Sequence, residues 1–314
     1  MRQPSTMKRF PSILCAGITV LDNVFQVERF PEPGTKTRAS DFTAVTGGCA
    51  ANAAIAAARL EGRVYLVTPL GDATDPIASD IVRHLEAERV DCSGILRVPG
   101  AISPISAIFV DASGERLIVN HRDQRLAEAR IANADALLEG IDAVMVDNRF
   151  AHFVLPLAQA ARARGTPVLL DGDEPTPGSD ALLAAVSHCV FSADGLRATA
   201  GCSDLAEALS RVQARTGAQL AVTDGPNGLL WRDGGIVRHI RAYPVAAVDT
   251  LAAGDVFHGA CVVALGEGHD FEHALGFAAA AAALKCRHFG GITGAPTRAE
   301  TDAFLRERAA EIRP

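Results

Sequence analysis

Apolar residues fall along this chain in short runs that end in polar ones, with stretches of helical length between them. Residues 12–21 (SILCAGITVL) are a nearly continuous apolar run, the pattern of a strand buried on both faces. The Gly47-Gly48 pair opens an Ala-rich stretch that predicts a helix from about Ala50 to Leu60, with Gly62 placed to end it. VYLVTPLG (64–71) reads as the next buried strand, and Pro76 starts a helix that reaches Val90. AVMVD (143–147), PVLLD (167–171), HCVFS (188–192) and QLAVTDG (219–225) repeat the apolar run with a polar end. Helical stretches at 153–164, 179–186 and 204–216 separate them. Strands alternating with helices predict an α/β fold of three layers, α/β/α, around a mostly parallel central sheet. Ligands in such sheets bind beyond the carboxyl ends of the strands, where these runs turn polar.

Two stretches break the rhythm. Residues 22–46 are polar and loop-like, with VFQVERF and DFTAV as short strands. Residues 103–121 alternate, with ISAIFVD and ERLIVNH flanking Ala112-Ser113-Gly114. Both predict antiparallel strands with one wet face, which together make a small sheet able to cover a substrate as a lid. The sequence holds no internal repeat, low-complexity segment or dividing linker, so residues 1–314 read as a single domain carrying that lid.

Composition narrows the chemistry. Hydrophobic residues make up 48% of the chain but aromatic ones only 5%, so the core must be built of Ala, Val, Leu and Ile. A net charge of −7 without any Lys/Arg block argues against nucleic acid as a partner, and an anionic substrate would need a local cradle. Met1–Pro11 is polar and basic and does not read as a signal peptide. The longest apolar run, Phe277 to Leu284, is too short for a membrane span. Seven scattered cysteines without a CxxC pair fit a reducing compartment, and the expected location is the cytoplasm.

Candidate chemistry concentrates in VDTLAAGDVFHGA (248–260). Small residues at a helix start let backbone N–H groups approach an anion, and the helix dipole favours negative charge there. The amides of Ala252, Ala253 and Gly254 suit the peripheral oxygens of a phosphoryl group in flight, and Asp255 beside them could take the proton of an attacking hydroxyl. A small-residue helix start capped by Asp explains the same string equally well. In TGGCAANAA (46–54), bare backbone at Gly47 and Gly48 would let a polyol lie against main-chain N–H groups, with Asn52 bonding a hydroxyl; an ordinary helix-entry turn is the competing reading. Thr223, Gly225 and Gly228 in VTDGPNG could wrap a nucleotide phosphate or simply form a hairpin turn. Asp22, closing GITVLD, could bind two adjacent sugar hydroxyls or start a loop.

The order and spacing of GITVLD, TGGCAANAA, VTDGPNG and DTLAAGD resemble the ribokinase-like, or PfkB, family of carbohydrate kinases along nearly the whole chain. The resemblance implies a ribokinase-like α/β fold with a β-lid over the sugar, ATP with Mg2+ as donor, and transfer to a primary hydroxyl. It implies Asp255 as catalytic base, Ala252, Ala253 and Gly254 as the anion hole, and Asp22, Gly47, Gly48 and Asn52 as sugar-binding residues. Thr223, Gly225 and Gly228 would lie near the nucleotide phosphates, and helix 271–285 would wall the adenine. Parts of the family also use a monovalent cation. Two departures stand out: Ala252 replaces the usual Gly of DTxGAGD, and Ser192-Ala193-Asp194-Gly195 replaces the NxxE linked to magnesium. The metal ligands are therefore unassigned, with Asp171, Asp173 and Asp194 as candidates acting through water.

Within that family the chain resembles the sulfofructose kinase subgroup, through GITVLD, VLLDGD, DVFHGA and AALKC. That likeness implies 6-deoxy-6-sulfofructose as acceptor, giving its 1-phosphate, with Lys36, Asn120 and Arg149 reading the sulfonate. Solvated surface charge is the competing reading of Lys36 and Arg149. Fructose, a 2-keto-3-deoxy acid, ribose or a nucleoside are the other acceptors weighed, and a catalytically silent sugar or nucleotide sensor is the alternative of another class. His258 and His288 read as packing or solvent-facing groups, and Cys49, beside the Gly-Gly pair, as a small buried hydrophobe, with contact to the substrate as its alternative. Trp231 and Tyr243 read as core cover within a hairpin. An exposed lid edge would favour a homodimer.

Overall fold

The apolar run 12–21 is two strands, not one. The computed structural model describes residues 10–175 and 179–311, so most of the N-terminal stretch read above, residues 1–9, lies outside the described residues. Strand β1 (Ser12–Ala16) stays in the main sheet, whereas β2 (Val20–Gln26) departs from it. The break has a cause far along the chain: the N–H of Ile18 donates to the carboxylate of Asp147 at 2.7 Å. That bond takes the chain out of the main sheet and turns it towards the small one.

The remaining elements follow the predicted alternation, except that the run 64–71 is also two strands, the second of which leaves the main sheet to pair with residues 96–97. Strand β3 (Asp41–Gly47) leads into helix α1 (Cys49–Arg59), then β4 (Arg63–Val67), β5 (Pro69–Leu70) and α2 (Pro76–Ala87). Next come β6 (Leu96–Arg97), β7 (Ile105–Val110), β8 (Arg116–His121) and the short α3 (Ala134–Leu137). Strands β9 (Ala143–Asp147), β10 (Val168–Gly172), β11 (His188–Ser192) and β12 (Gln219–Thr223) are interleaved with helices α4 (Ala151–Ala163), α5 (Ser179–Ala185), α6 (Ala193–Ala200) and α7 (Leu205–Gln213). The hairpin of β13 (Leu229–Asp233) and β14 (Ile236–Ile240) precedes α8 (Ala253–Gly266), α9 (Phe271–Cys286) and α10 (Arg298–Glu311). Helix α1 ends as expected near Leu60, but Glu61, not Gly62, takes the left-handed φ of 70°.

The main sheet runs β14-β13-β12-β11-β10-β9-β1-β4, parallel from β4 to β12 and antiparallel only in the terminal hairpin. Side chains alternate between its faces. Ile13, Cys15, Met145 and Leu169 pack with α1, α2, α8 and α9, whereas Leu14, Val144, Val146 and Leu170 pack with α4 to α7. The small sheet runs β3-β2-β7-β8 and is built from the two segments that broke the helical rhythm. Its outer pairs are antiparallel as predicted, but β2 and β7 run parallel. Each enters the small sheet from the main body, and the elements between them return to that body, so both run in one direction.

Alanine is what lets the first face close. Residues Ala50–Ala58 of α1 and Val256–Leu265 of α8 are all buried, so neither helix keeps a wet side over these spans. A Cβ on Gly259 would lie 2.5 Å from the Ala53 carbonyl oxygen, so the two backbones nearly touch. Asn52 precedes Ala53, and Asp255 is one turn before Gly259, so this contact sets how closely their side chains can meet. Gly259→Ala should cost about 1–3 kcal/mol of stability through overpacking, read as a lower denaturant midpoint; a parental midpoint would mean the helices do not touch here.

Candidate active site

Asp255 lies half-buried in the first turn of α8, and its Oδ2 accepts from Asn52 Nδ2 at 2.7 Å. Burial raises its pKa to about 6, while the Asn52 amide and His258 act to lower it. The preceding Ala252 holds a left-handed φ of 62° and starts α8, whose first N–H, that of Ala253, donates back to the Thr250 carbonyl at 3.2 Å. Gly254 is exposed, and a Cβ there would meet nothing within 4 Å, so the space before this turn is open. Asn52 is 7% exposed, and its buried Oδ1 has no hydrogen-bond partner.

Behind this pair lies a group of acids from adjacent strand ends. Asp147 and Asp171 face each other in register across β9 and β10, and Asp173 follows. Asp147 is 0% exposed; its Oδ2 accepts from Ile18 and Ala50 and its Oδ1 from the N–H of Arg149. It thereby caps α1, for which Gly48 supplies no side chain. Asp171 is 2% exposed and its Oδ1 is unpartnered; burial, then the charge of Asp173, pushes its pKa well up. Arg149 is ion-paired with Asp173 and Glu174.

His258 is buried and fixes the first turn of α8 to β11: its ring nitrogens lie 2.7 Å from the Gly254 carbonyl and 3.2 Å from that of Val190. Its Nδ1 also lies 3.6 Å from Asp171 Oδ2, so it borders the acids of the site and is more than the packing or solvent-facing group expected from sequence. Cys49 is not set among hydrophobes as expected. Its Sγ approaches the Asp173 carboxylate at 3.9 Å, and ligand atoms of Cys49, Asp171 and Asp255 lie within 4.8 Å of one another. Burial and these carboxylates hold the thiol neutral by raising its pKa.

The small sheet brings a third set of groups. Asp22 on β2 lies against Gly47, where any Cβ would collide with its carboxylate. Gly48 has a φ of 93° and faces the Ile18 carbonyl, so only glycine fits that turn. Burial raises the Asp22 pKa to about 6, with the Ser106 hydrogen bond opposing. Asp22, Ser106 and Asn120 are cross-strand neighbours in register and therefore share one face of the sheet. Arg116, which sequence reasoning passed over, reaches from β8 to the Thr250 hydroxyl at 3.4 Å and ties the sheet to the DTLAAGD segment. Lys36 is exposed in the β2–β3 loop, and no hydrogen bond or ion pair among the described residues joins it or Asn120 to Arg149.

Thr223, Gly225 and Gly228 form the turn from β12 to β13 at the carboxyl edge of the main sheet. Gly228 is explained by the backbone: its φ is 91° and a Cβ would strike the Ile240 carbonyl. Gly225 faces open space. Trp231 is in the hairpin, but Tyr243 lies beyond it and packs edge-on against Phe304 at 5.3 Å.

The sequence profile of the pfkB family carbohydrate kinases matches residues 11–298. This chain belongs to that family. A ribokinase of Haemophilus influenzae is 31% identical over 302 residues, covering 90% of this chain and 95% of that one. A crystal structure named as a candidate ribokinase from Agrobacterium tumefaciens superposes with a TM-score of 0.92 at 37% identity, covering 96% and 99%. Arabidopsis thaliana ribokinase, complexed with ribose and ATP, gives 0.84 at 26% identity, covering 95% and 99%. The chain is an ATP-dependent carbohydrate kinase of ribokinase-like fold. Among the described residues no helix is long and apolar enough to cross a membrane.

A pfkB kinase uses ATP, and Mg2+ is expected with it; the residues here fit both. The open start of α8 suits a phosphate group, which it would hold by amides and dipole. The unpartnered oxygens of Asp171 and Asp173 are hard donors of the kind magnesium takes, directly or through water. The segment standing for NxxE offers less. Ser192 Oγ already bonds the Gly195 N–H and the Asp173 carbonyl, and Asp194 points outward to Arg197. Of the three acids considered from sequence, Asp171 and Asp173 lie beside Asp255 and Asp194 does not.

If Asp255 is the base, its carboxylate must be ionised to act, so kcat/KM should fall as pH drops through about 6. Asn52→Ala removes a donor that favours the charged form, and should move this acid limb to higher pH. A limb that stays put, or moves down, would show that the amide does not tune the carboxylate.

Proposed function

We propose that this chain transfers the γ-phosphoryl group of ATP to a primary hydroxyl of a sugar, with Asp255 as the base. The hydroxyl oxygen forms the new P–O bond, its proton passes to Asp255, and the bond to the departing ADP breaks. The observation that carries this reading is the half-buried Asp255 in the first turn of α8, hydrogen-bonded to Asn52. Ala252, Ala253 and Gly254 hold the transferring group, since phosphoryl transfer depends mainly on positioning and charge neutralisation. Asp22, Gly47, Gly48 and Asn52 grip the sugar, for which Asn52 Oδ1 supplies a waiting acceptor. Thr223, Gly225 and Gly228 border the nucleotide, and magnesium, when bound, neutralises phosphate charge beside Asp171 and Asp173.

For the acceptor, we carry 6-deoxy-6-sulfofructose as the first reading. It is supported by Asn120 standing in register with Asp22, two strands and so about 10 Å across the sheet, and by Arg149 at the site edge. In this reading the sulfonate competes with Asp173 and Glu174 for the Arg149 guanidinium. Ribose is the second reading, favoured by those carboxylate partners and by relatives named as ribokinases. We also propose a homodimer. The outer face of the small sheet carries Phe42, 53% exposed, with Phe25 at 5.0 Å and Phe109 beyond it.

ADP release measured over ribose, fructose and 6-deoxy-6-sulfofructose tests the first proposal. Asp255→Asn should lower kcat by about 10²–10⁴-fold; turnover that survives it would reject the base. Arg149→Ala should raise KM for the sulfonated sugar far more than for fructose, and equal effects would remove the anionic reading. Light scattering tests the dimer: Phe42→Asp should give a monomer, and a parent chain already monomeric would contradict it.

A further inference from the structure

Helix α9 carries a lysine with no solvent exposure: Lys285, next to its last residue, is 0% exposed. Its Nζ donates to the Asp249 carbonyl at 2.8 Å and to Asp249 Oδ2 at 3.0 Å. The same Oδ2 accepts from the N–H groups of Gly290 at 3.1 Å and Gly291 at 2.9 Å, and Oδ1 accepts from Leu251 at 2.8 Å. The N–H groups of Val248 and Asp249 both donate to the Cys286 carbonyl, at 2.7 and 3.2 Å. Residues 248–251 are thus fastened to the end of α9 immediately before the Ala252–Gly254 amides. Ala253 in turn donates to the Thr250 carbonyl, which passes the constraint on to α8.

A buried ammonium is costly unless it is paired and fully hydrogen-bonded, and an apolar side chain would fill the same volume without that cost. Here the cation sits in the last turn of a helix, where the dipole favours it, and it engages a carbonyl and a carboxylate. Those are the ligand types that hold an alkali metal ion, and Nζ already occupies them. Both oxygens of Asp249 are also committed to backbone N–H groups, so nothing at this point is left for a metal.

We propose that Lys285 is a built-in cation of this kinase, a positioning residue that holds Asp249 and the anion cradle after it in place of a monovalent metal ion. The inference rests on the kinase reading for its rate effects, but its binding consequence can be read without turnover. At constant ionic strength the parent enzyme should turn over equally in potassium, sodium and choline chloride. Lys285→Ala opens an ammonium-sized gap lined by Asp249 oxygens. It should lose about a hundredfold in kcat through misplacement of the cradle. Potassium or ammonium, but not choline, should restore part of that rate and raise the variant's Tm. Lys285→Met, which keeps the stem and drops the charge, should lose the same rate without rescue. Several-fold activation of the parent by potassium overturns the proposal, as does parental kcat in Lys285→Met. If Lys285→Ala does not fold, the parent salt series and Lys285→Met decide. If the parent turns over no sugar at all, the kinase reading fails on its own, and the inference stands or falls on a potassium-specific rise in the Tm of Lys285→Ala.

Discussion

The contact between α1 and α8 is made by alanine and glycine, and the chemistry is fastened to it. Each helix begins after a small residue that supplies no side-chain cap: Gly48 before α1, Ala252 before α8. Because Gly259 meets the Ala53 carbonyl with no side chain between, the two N-terminal turns converge and Asn52 reaches Asp255. A larger residue at the crossing would separate Asn52 from Asp255. The low aromatic content and the abundance of alanine serve the same end, since bulky side chains could not fill a face this closely packed.

Convergence has an electrostatic consequence. Asp147, Asp171, Asp173 and Asp255 gather at the strand ends, and burial raises all four pKa values. The structure relieves the crowding in different ways at each. Asp147 is bonded to three backbone N–H groups, Asp173 is paired with Arg149, and Asp255 is bonded to Asn52. Asp171 and Asp173 each keep one oxygen, Oδ1, without a partner. An acidic cleft of this kind disfavours an anionic substrate until cations and oriented dipoles offset it.

Much of this could be read along the chain, because strand runs and glycine-opened helices are local patterns. The two predicted sheets are present, and the DTLAAGD segment opens a helix as expected. What escaped was set by distance in sequence. Nothing near Gly17 indicates that Asp147 will accept from Ile18, 129 residues earlier, and split an apolar run. Arg149 looks like a free cation until strands β9 and β10 bring Asp173 and Glu174 to it. Lys285 is by sequence an ordinary charge in a last helical turn. A usable sign was present for the acids: AVMVD and PVLLD both end in Asp, and successive strands of a parallel sheet commonly lie side by side.

The central claim is that packing makes Asp255 an unusually basic carboxylate before any ligand arrives. Carbon-detected NMR titration of the Asp255 side-chain carboxyl in the unliganded protein addresses it directly. The account predicts a midpoint near 6. A midpoint in the ordinary aspartate range, about 4, would contradict it.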